Sequence, residues 1–201
     1  MQYANLMQVP TLEGAHVRLE PLTLAHLPAL EAVAFDPSIW RYMFSILRTP
    51  EDLRAWAESA LATPNTLTWV TIKKSTNTSP DRVVGSTRFI DLDLHHSTTE
   101  LGHTWLAAPA RGTLINAEAK LLQLTYAFET LNLNRVALKT HHENLQSQNA
   151  MKAIGAIYEG TFRNHYLMPD GTLRHSVWFS ITREDWPTTK AHLQRRLSLA
   201  Q

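Results

Sequence analysis

Two candidates for acid–base chemistry share one short segment of the chain. Glu100 and His103 lie in a run, 98–106, whose alternating polar and apolar residues are typical of a β-strand. A carboxylate and an imidazole can each accept a proton, directly or through water, and histidine titrates near neutral pH. Strand alternation aims residues three apart at opposite faces, so we expect at most one of the two to face a site. A histidine that serves only as a structural hydrogen-bonding group is an equally good interpretation of His103.

The loop that follows this strand opens directly into a helix. It contains Arg111 and Gly112, and the predicted helix spans 114–130. The first N–H groups of a helix have no partner and lie at the positive end of its dipole, which suits a phosphate. Arg111 adds a permanent positive charge. Because strand–loop–helix junctions are common and Gly112 is the single glycine within this loop, the feature alone is weak evidence for a phosphate site.

A second polar cluster begins the next predicted helix. Asn144 and Ser147 are residues that cap helices, and the helix should stop at Gly155, the residue type that favours a left-handed C-terminal position. Taken by themselves, the two residues indicate a helix cap followed by a solvated face.

Composition excludes several classes of protein. The 201 residues contain 19 Lys and Arg, 18 Asp and Glu, ten His and no Cys, for a net charge of +1. This balance argues against a nucleic-acid binder or a polybasic membrane anchor, and the absence of Cys excludes a thiolate nucleophile and Cys-ligated zinc. We find no signal peptide and no apolar run of about 18 residues, so we expect a soluble cytoplasmic protein with one domain, 1–201.

The hydrophobic pattern predicts one mixed α+β domain in which a long sheet bends around a central helix. The expected strands are 16–22, 67–73, 82–91, 98–106, 135–140, 158–167 and 172–181, with an exposed loop at 74–81. Besides the helices at 114 and 144, we expect helices that begin near Thr23, Thr49 and Thr182. The helix after Thr49 should present to the interior Leu53, Trp56, Ala57, Ala60 and Leu61.

These segments carry a series of residues that resembles a known family. Beyond 100–128, the series comprises 132–140, 144–147, Ala150, 155–156, 159–160, 169–175 and 184–187. It is similar to the GNAT N-acetyltransferases, above all to the branch that contains the RimJ and RimL type of ribosomal-protein N-terminal acetyltransferase. The resemblance covers nearly the whole chain in the right order. It implies a splayed mixed β-sheet flanked by helices, with acetyl-CoA in a V between the strands 98–106 and 135–140.

The resemblance also implies which residues bind acetyl-CoA. The family's phosphate loop, Arg-x-x-Gly-x-Gly/Ala, maps onto Arg111, Gly112, Thr113, Leu114, Ile115 and Asn116. Leu114 replaces the usual glycine and Asn116 the usual small residue. Leucine can still donate its backbone N–H, but it adds a side chain where the backbone approaches the pyrophosphate, and it resists a positive φ.

Catalytic roles follow from the same resemblance. The family's counterparts of Asn144 and Ser147 point at the cofactor, and Ser147 is the first candidate for protonating the departing thiolate. Tyr166 is the second, because a phenol can also deliver that proton. RimL-type enzymes carry a Glu where this chain has 164–166, Asn-His-Tyr. Polarisation of the thioester carbonyl is expected from a backbone N–H between 102 and 106.

The acceptor end is the least readable part of the sequence. Trp40 and Tyr42 follow a helix break, where the family's early helices wall the acceptor cleft, and packing in an aromatic core explains them equally well. Trp69 and Trp178 are better explained as core residues. We expect no metal site, because the adjacent pairs His95–His96 and His141–His142 should point opposite ways and no His-x-x-x-His spacing occurs.

These observations predict an N-acetyltransferase. It would transfer the acetyl group of acetyl-CoA to a primary amine of a protein N-terminus, a peptide or a small molecule, by direct attack in a ternary complex. The expected partners are acetyl-CoA and the acceptor, without nucleic acid or membrane, and a homodimer is left open. The alternative is a GNAT-like protein that binds a ligand or a partner with little or no turnover, as Leu114 and the missing Glu would allow.

Overall fold

Most of the chain folds around one mixed β-sheet. The computed structural model describes residues 8–76 and 79–199, so residues 1–7, where we expect no signal peptide, and residues 77–78 of the predicted loop lie outside the described residues. The strands within those ranges are β1 (Leu12–Glu13), β2 (Val17–Pro21), β3 (Leu67–Lys73), β4 (Arg82–Asp93), β5 (Thr98–Leu106), β6 (Arg135–His141), β7 (Ile157–Leu167) and β8 (Leu173–Thr182). They pair in the order β1-β2-β3-β4-β5-β6-β8-β7.

Helices cover both faces of this sheet. They are α1 (Leu27–Ala34), α2 (Pro37–Trp40), α3 (Pro50–Ala62), α4 (Leu114–Thr125), α5 (Leu145–Ala153) and α6 (Trp186–Ser198). The neighbours Trp69 and Val70 on β3 belong to two different clusters of buried apolar residues, as alternation along a strand requires. The cluster with Trp69 contains residues of α4 and α6, whereas the cluster with Val70 contains residues of α1, α2 and α3.

The predicted helix starts agree with the caps that form. Thr49 and Asp52 make a reciprocal capping box before α3, and Pro50 occupies the first turn, where its missing N–H costs nothing. Thr23 precedes a 3₁₀ turn, Leu24–His26, that leads into α1. One packing prediction is wrong: Leu61 is 49% exposed, because it lies at the edge of the apolar stripe in the last turn of α3.

The predicted central helix is shorter than its pattern. The α-helical hydrogen bonds of α4 end at Thr125, and a π turn, Tyr126–Thr130, completes the segment. This turn remains packed, because the side chains of Tyr126 and Phe128 are buried in the same cluster as Leu124.

The strands β5 and β6 separate soon after they begin. They pair in parallel at three registers, the last being Glu100 with Ala137, while β5 continues to Leu106 and β6 to His141. The other paired strands of the described sheet are antiparallel. The sheet is therefore splayed at its centre, as predicted.

A β-bulge interrupts β5 on its other side. The register with β4 passes from Arg88–Gly102 to Ser86–Trp105, so β5 contributes one more residue than β4 over this interval. His103 takes a φ of +47°, in the left-handed region that is unusual for a residue with a side chain. A bulge bends the strand and changes the direction of its side chains. This bulge lies just beyond Glu100, where β5 and β6 stop pairing.

Candidate functional site

A cavity of about 320 Å³ occupies the gap between β5 and β6. Its wall is formed by β5 from Glu100 to Leu106, β6 from Leu138 to Thr140, the loop before α4, the helices α4 and α5, α2 with the segment after it, and Arg174 of β8. Because β5 and β6 no longer hydrogen-bond to each other here, the gap gives a ligand access to the middle of the sheet. Most of the candidate residues from the sequence meet in this cavity.

Glu100 lies at the inner end of the gap and is buried. Its Oε2 accepts a hydrogen bond of 2.6 Å from Lys139 Nζ on β6. Burial raises the pKa of the Glu100 carboxyl, and the positive charge of Lys139 partly offsets that effect. The ammonium of Lys139 also lies 4.9 Å from the ring of Trp178, which is half-buried rather than a core residue. Glu100 is thus a carboxylate with raised basicity that is held in a fixed position.

His103 also lines the cavity, which contradicts the expectation that only one of the two residues faces it. The bulge explains the difference, because an extra residue with a left-handed φ breaks the two-residue alternation of β5. Burial lowers the pKa of the His103 imidazole to about 4, and the charges of Arg88, Lys139 and Arg174 act in the same direction. The expectation that it titrates near neutrality is therefore wrong, and His103 is a neutral, weakly basic group at pH 7.

The predicted phosphate loop has the geometry of a helix start with free donors. Thr113 caps α4, with its Oγ1 accepting the N–H of Ile115 over 3.3 Å. Among the described residues, no acceptor binds the N–H groups of Gly112, Thr113 and Leu114. Gly112 takes a φ of +71°, and a Cβ there would meet nothing within 4 Å. The arrangement fits a phosphate group, because open space and unpaired donors coincide at the positive end of α4.

Leu114 does not occupy the conformation that its sequence position suggested. It is the first residue of α4 and lies outside the set of described residues with positive φ, which is supplied here by Gly112. Its side chain packs against the buried cluster instead of lining the cavity. Ile115 is buried in the same cluster, whereas the next residue, Asn116, lines the cavity. The backbone conformation of Leu114 therefore needs no glycine.

Arg111 is engaged by the protein on three sides. Its Nε donates to Leu106 O over 2.8 Å, its Nη1 donates to Ser38 Oγ over 2.9 Å, and its Nη2 lies 3.5 Å from Asp36 Oδ2. Asp36 caps the short helix α2, so the guanidinium joins the loop before α4 to the break between α1 and α2. Arg111 lines the cavity from this position.

The start of α5 presents a hydroxyl to the cavity. Asn144 caps the helix, because its Oδ1 accepts the N–H of Ser147 over 3.0 Å. Both residues line the cavity, and no described protein group accepts or donates a hydrogen bond at the Ser147 hydroxyl. Asn144 therefore has a structural role that accounts for it, while the Ser147 hydroxyl is left available to a ligand.

The remaining candidates stand at different depths in the acceptor wall. Tyr42 lines the cavity, with its ring 5.2 Å from that of His141. Trp40 is 2% exposed, donates its indole N–H to Ala34 O over 2.7 Å and packs on Trp105, so it supports the wall without reaching the cavity. Tyr166 is not a lining residue. Its ring packs edge-on against Phe44, which does line the cavity.

The histidines stack without forming a metal centre. Contrary to the expectation that adjacent pairs point apart, the rings of His95 and His96 lie 4.6 Å apart and those of His141 and His142 lie 4.4 Å apart. Within residues 8–76 and 79–199, no group of three or more His, Asp or Glu side chains is arranged to hold a metal ion. In the same part of the chain, none of the helices combines the length and apolar character needed to cross a membrane.

Three buried cations at the site were not singled out by the sequence. Lys120 donates to Thr104, Thr87 and Gln123, and burial lowers its pKa to about 7. Arg88 and Arg174 are also buried, on β4 and β8. For Lys120 a signal existed: it falls on the apolar stripe of α4, three residues after Ala117 and four before Leu124. For the two arginines, the alternation of their strands does not separate a buried charge from a solvated one.

Comparison with known proteins decides the family. A family model described as "Acetyltransferase (GNAT) domain" matches residues 16–157. This chain belongs to the GNAT acetyltransferase family. The match confirms the family and the splayed mixed fold that the sequence predicts.

Individual relatives agree with this assignment. The "Putative ribosomal N-acetyltransferase YdaF" of Bacillus subtilis (strain 168) is 33% identical over 100 residues, which is 50% of this chain and 54% of that protein, and its name agrees with the predicted RimJ and RimL branch. The alignment thus spans about half the length of this curated relative. The crystal structure of a "putative acetyltransferase" from T. thermophilus is 40% identical and covers 93% of this chain and 96% of its own, with a TM-score of 0.84.

A more distant GNAT structure was solved with ligands. The spermidine N-acetyltransferase of Vibrio cholerae, in complex with CoA and spermine, is 16% identical and covers 87% of this chain and 99% of its own, with a TM-score of 0.70. At this identity the likeness shows the fold alone.

Proposed function

We propose that this protein is an N-acetyltransferase that moves the acetyl group of acetyl-CoA to a primary amine, by direct attack within a ternary complex. The observation that carries the proposal is the cavity between β5 and β6, which has free backbone donors at one end and a buried carboxylate at the other. Membership of the GNAT family and the CoA complex of a protein with the same fold support it.

The residues at the start of α4 fit the donor's phosphates. Free N–H groups of Gly112, Thr113 and Leu114 can donate to a diphosphate at the positive end of α4, where bound anions are stabilised. Asn116 and Arg111 line the adjoining wall. Acetyl-CoA supplies an acetyl thioester, and the gap between the strands leads from this loop toward Glu100.

Glu100 is the base that the geometry favours. An amine reaches the cavity mostly as an ammonium ion and must lose a proton before it can attack a carbonyl. The raised pKa of Glu100 makes its carboxylate a better proton acceptor than His103, whose pKa is about 4. The proton passes to Glu100 directly or through water. His103 then contributes a neutral wall to the acceptor pocket.

The departing thiolate needs a proton, and Ser147 is placed to supply it. Its hydroxyl lines the cavity and is free of described protein partners. Glu100 passes the first ammonium proton on to solvent. As the new C–N bond forms and the C–S bond breaks, the second amine proton leaves through Glu100, and the thiolate takes the Ser147 proton, which solvent replaces. No covalent intermediate on the protein is required. Tyr166 is the second candidate, one side chain removed from the cavity wall.

The acceptor is a primary amine of a protein N-terminus, a peptide or a small molecule. The name of the B. subtilis relative makes a ribosomal-protein N-terminus one candidate within this class. Tyr42 and Phe44 form part of the wall that would contact it.

Two measurements test the proposal. Acetyl-CoA at 100 times its dissociation constant should stabilise the protein by about 2.7 kcal/mol, visible as a rise in melting temperature. Release of free CoA thiol should then depend on an added amine, with S147A as the matched control that still binds acetyl-CoA. Absence of the thermal shift would contradict the donor site. A shift without amine-dependent thiol release, across peptides and small amines, would favour the alternative of a binding protein without turnover.

A further inference from the structure

The acceptor end of the cavity has an excess of positive charge. His103 lies between the main cavity and a second one of about 370 Å³, because it lines both. Arg88 and Arg174, one at each cavity, both act on its imidazole, as does Lys139. Among the described residues that line the main cavity, Glu100 is the one acidic side chain, and it already binds Lys139.

Arg88 is the clearer case of a charge without a partner. Its side chain is 6% exposed, and its guanidinium lies 4.8 Å from the ring of Trp56 on α3. The guanidinium makes no hydrogen bond or ion pair with any described residue. Its Nε and Nη2 atoms are buried without a hydrogen-bond partner. Asp52 lines the same cavity, but its carboxylate accepts the N–H groups of Arg48 and Thr49 and forms no ion pair with Arg88.

Arg174 is 5% exposed and bound to neutral groups only. Its Nε donates to Ser176 Oγ over 3.2 Å, and its Nη1 lies 3.5 Å from Tyr42 O. The rings of Phe44 and Tyr166 lie 5.0 and 5.9 Å from its guanidinium carbon. No described carboxylate lies within ion-pair distance, although the charge of Glu100 acts on it from further away.

Two buried guanidinium groups without counter-ions are costly to the folded protein. Removing a charge from water is unfavourable unless an opposite charge or several hydrogen bonds replace the hydration. Arginine is the side chain best suited to bind a carboxylate, through two parallel N–H···O bonds. A ligand that brings a carboxylate to this place would satisfy donors that the protein leaves unpaired.

The phosphates of the donor do not account for these charges. Arg88 pairs with Gly102 in the sheet, whereas the phosphate loop begins beyond Leu106, at the other end of the exposed stretch of β5. The stretch of β5 from Glu100 to Leu106 spans about 20 Å at roughly 3.3 Å per residue. Arg111 and the start of α4 serve that end.

We propose that the acceptor amine carries a carboxylate close to its amino group, and that Arg174 and Arg88 bind this carboxylate beside the side chain of His103. The acceptor is an α-amino acid, or a peptide whose N-terminal residues include an acidic side chain. Polycations are poor acceptors, because they would add charge to a wall that already holds unpaired positive charge. The inference rests on the proposed acetyl transfer, whose acceptor class it narrows.

Acceptors that differ only in charge test the inference. L-Alanine is compared with L-alaninamide, and amidated Ala-Asp with amidated Ala-Asn, in the thiol-release assay at saturating acetyl-CoA. In at least one pair, kcat/KM should be at least tenfold higher for the acceptor that carries the carboxylate. A preference within the alanine pair indicates a free amino acid as acceptor, and a preference within the dipeptide pair indicates an acidic N-terminus. Spermidine should react more slowly than the preferred acceptor. Equal or faster reaction of the neutral members of both pairs would overturn the inference.

Variants of the two arginines locate the preference. R174Q and R88Q should raise KM for the preferred acceptor at least tenfold and reduce the preference to less than twofold, with KM for acetyl-CoA unchanged. R54Q, at an exposed arginine of α3, is the matched control and should retain the preference. Melting curves identify any variant that fails to fold. If R88Q does not fold, the result for R174Q alone decides the test. A preference that survives both substitutions would refute the assignment to these residues.

A binding experiment keeps the test independent of turnover. Calorimetric titration of the CoA-bound protein with N-acetylalanine and with N-acetylalaninamide, and with the acetylated Ala-Asp and Ala-Asn pair, compares affinities without reaction. Tighter binding of the acid by tenfold supports the carboxylate site even if no amine is acetylated, in which case the proposed function alone has failed. Equal binding within both pairs contradicts the site.

Discussion

Lys139 lies on β6 two residues beyond the last register at which β5 and β6 still pair, and it donates a 2.6 Å hydrogen bond back to Glu100 in that register. The ion pair thus bridges the two strands at the point where their backbone bonds stop. It also fixes a carboxylate of raised pKa at the inner end of the cavity. On the proposed mechanism, removing the carboxylate therefore removes both the base and a contact between the two strands.

For E100Q, we expect kcat to fall by about 10²-fold, the lower range for loss of a general base, because an amide cannot take the amine proton. The acid limb of the kcat profile should also disappear. That limb lies above pH 4.5 in the wild type, since burial raises the carboxyl pKa and activity is lost as pH falls through it. A pH–rate series on both proteins checks this. An unchanged profile in E100Q would assign the base elsewhere.

Ser147 and Asn144 separate chemistry from helix capping. S147A should lower kcat at least tenfold with little change in affinity for acetyl-CoA, because its hydroxyl contributes no bond to the described fold. N144A should instead lower the free energy of unfolding by about 1 kcal/mol, since the cap to Ser147 N is lost. Urea denaturation and steady-state kinetics on both variants distinguish the two effects. Equal kcat in S147A and wild type would contradict Ser147 as the proton donor and favour Tyr166.

The phosphate loop gives opposite expectations for two neighbouring residues. G112A should weaken binding of acetyl-CoA about tenfold, because alanine is strained by roughly 1 kcal/mol or more at a φ of +71° and shifts the loop. L114G should leave the affinity unchanged or higher, while lowering stability by about 1 kcal/mol or more, since Leu114 packs on the core and begins α4. Calorimetric titration with CoA measures the affinity of each variant, and urea denaturation measures the stability of L114G. Much weaker binding by L114G would show that the loop does not bind the phosphates as proposed.

The lowered pKa of His103 predicts that the folded protein loses stability in acid. Its pKa falls from 6.5 in the unfolded chain to about 4 in the folded protein, so the unfolded state binds the extra proton between these values. Stability should be complete above pH 6.5 and fall by up to about 3 kcal/mol as pH drops to 4. H103Q should show a shallower slope over the same window in urea denaturation. Parallel slopes for the two proteins would contradict a buried neutral imidazole.

The lowered pKa of Lys120 predicts the same direction of change at higher pH. Burial lowers its pKa from 10.5 to about 7, so between these values the unfolded chain again binds more protons, and stability rises with pH by up to about 5 kcal/mol. K120M should flatten this rise. Guanidinium titrations at pH 7 and pH 9.5 give the difference. A rise of equal size in K120M would assign it to other groups.

Sequence patterns predicted the elements well where local chemistry decides them. The cap at Thr49, the cap at Asn144 and the positive φ of Gly155 each depend on a few adjacent residues. The separation of β5 from β6 followed from the family resemblance instead, because no local pattern states where two strands stop pairing.

The site was harder to predict than the fold. Alternation along β5 suggested that Glu100 and His103 diverge, and the bulge that brings both to the cavity has no local signal in the sequence. In the sequence, Arg88 and Arg174 cannot be distinguished from solvent-exposed polar residues of a strand. The structure is needed to show that they are buried and have no carboxylate beside them. Burial and the absence of a counter-ion arise from long-range packing, which the order of residues does not state.

The early end of β5–β6 pairing gives a central strand the properties of an outer edge. Beyond Glu100, the side of β5 that faces β6 carries main-chain groups with no strand beside them, yet helices α4 and α5 begin around this opening. Unpaired edges on a protein's outside invite self-association into aggregates. Here the unpaired edge lies inside a cavity, so an extended, amide-bearing molecule can dock along it, while the edge strand of a second folded protein cannot pair with it.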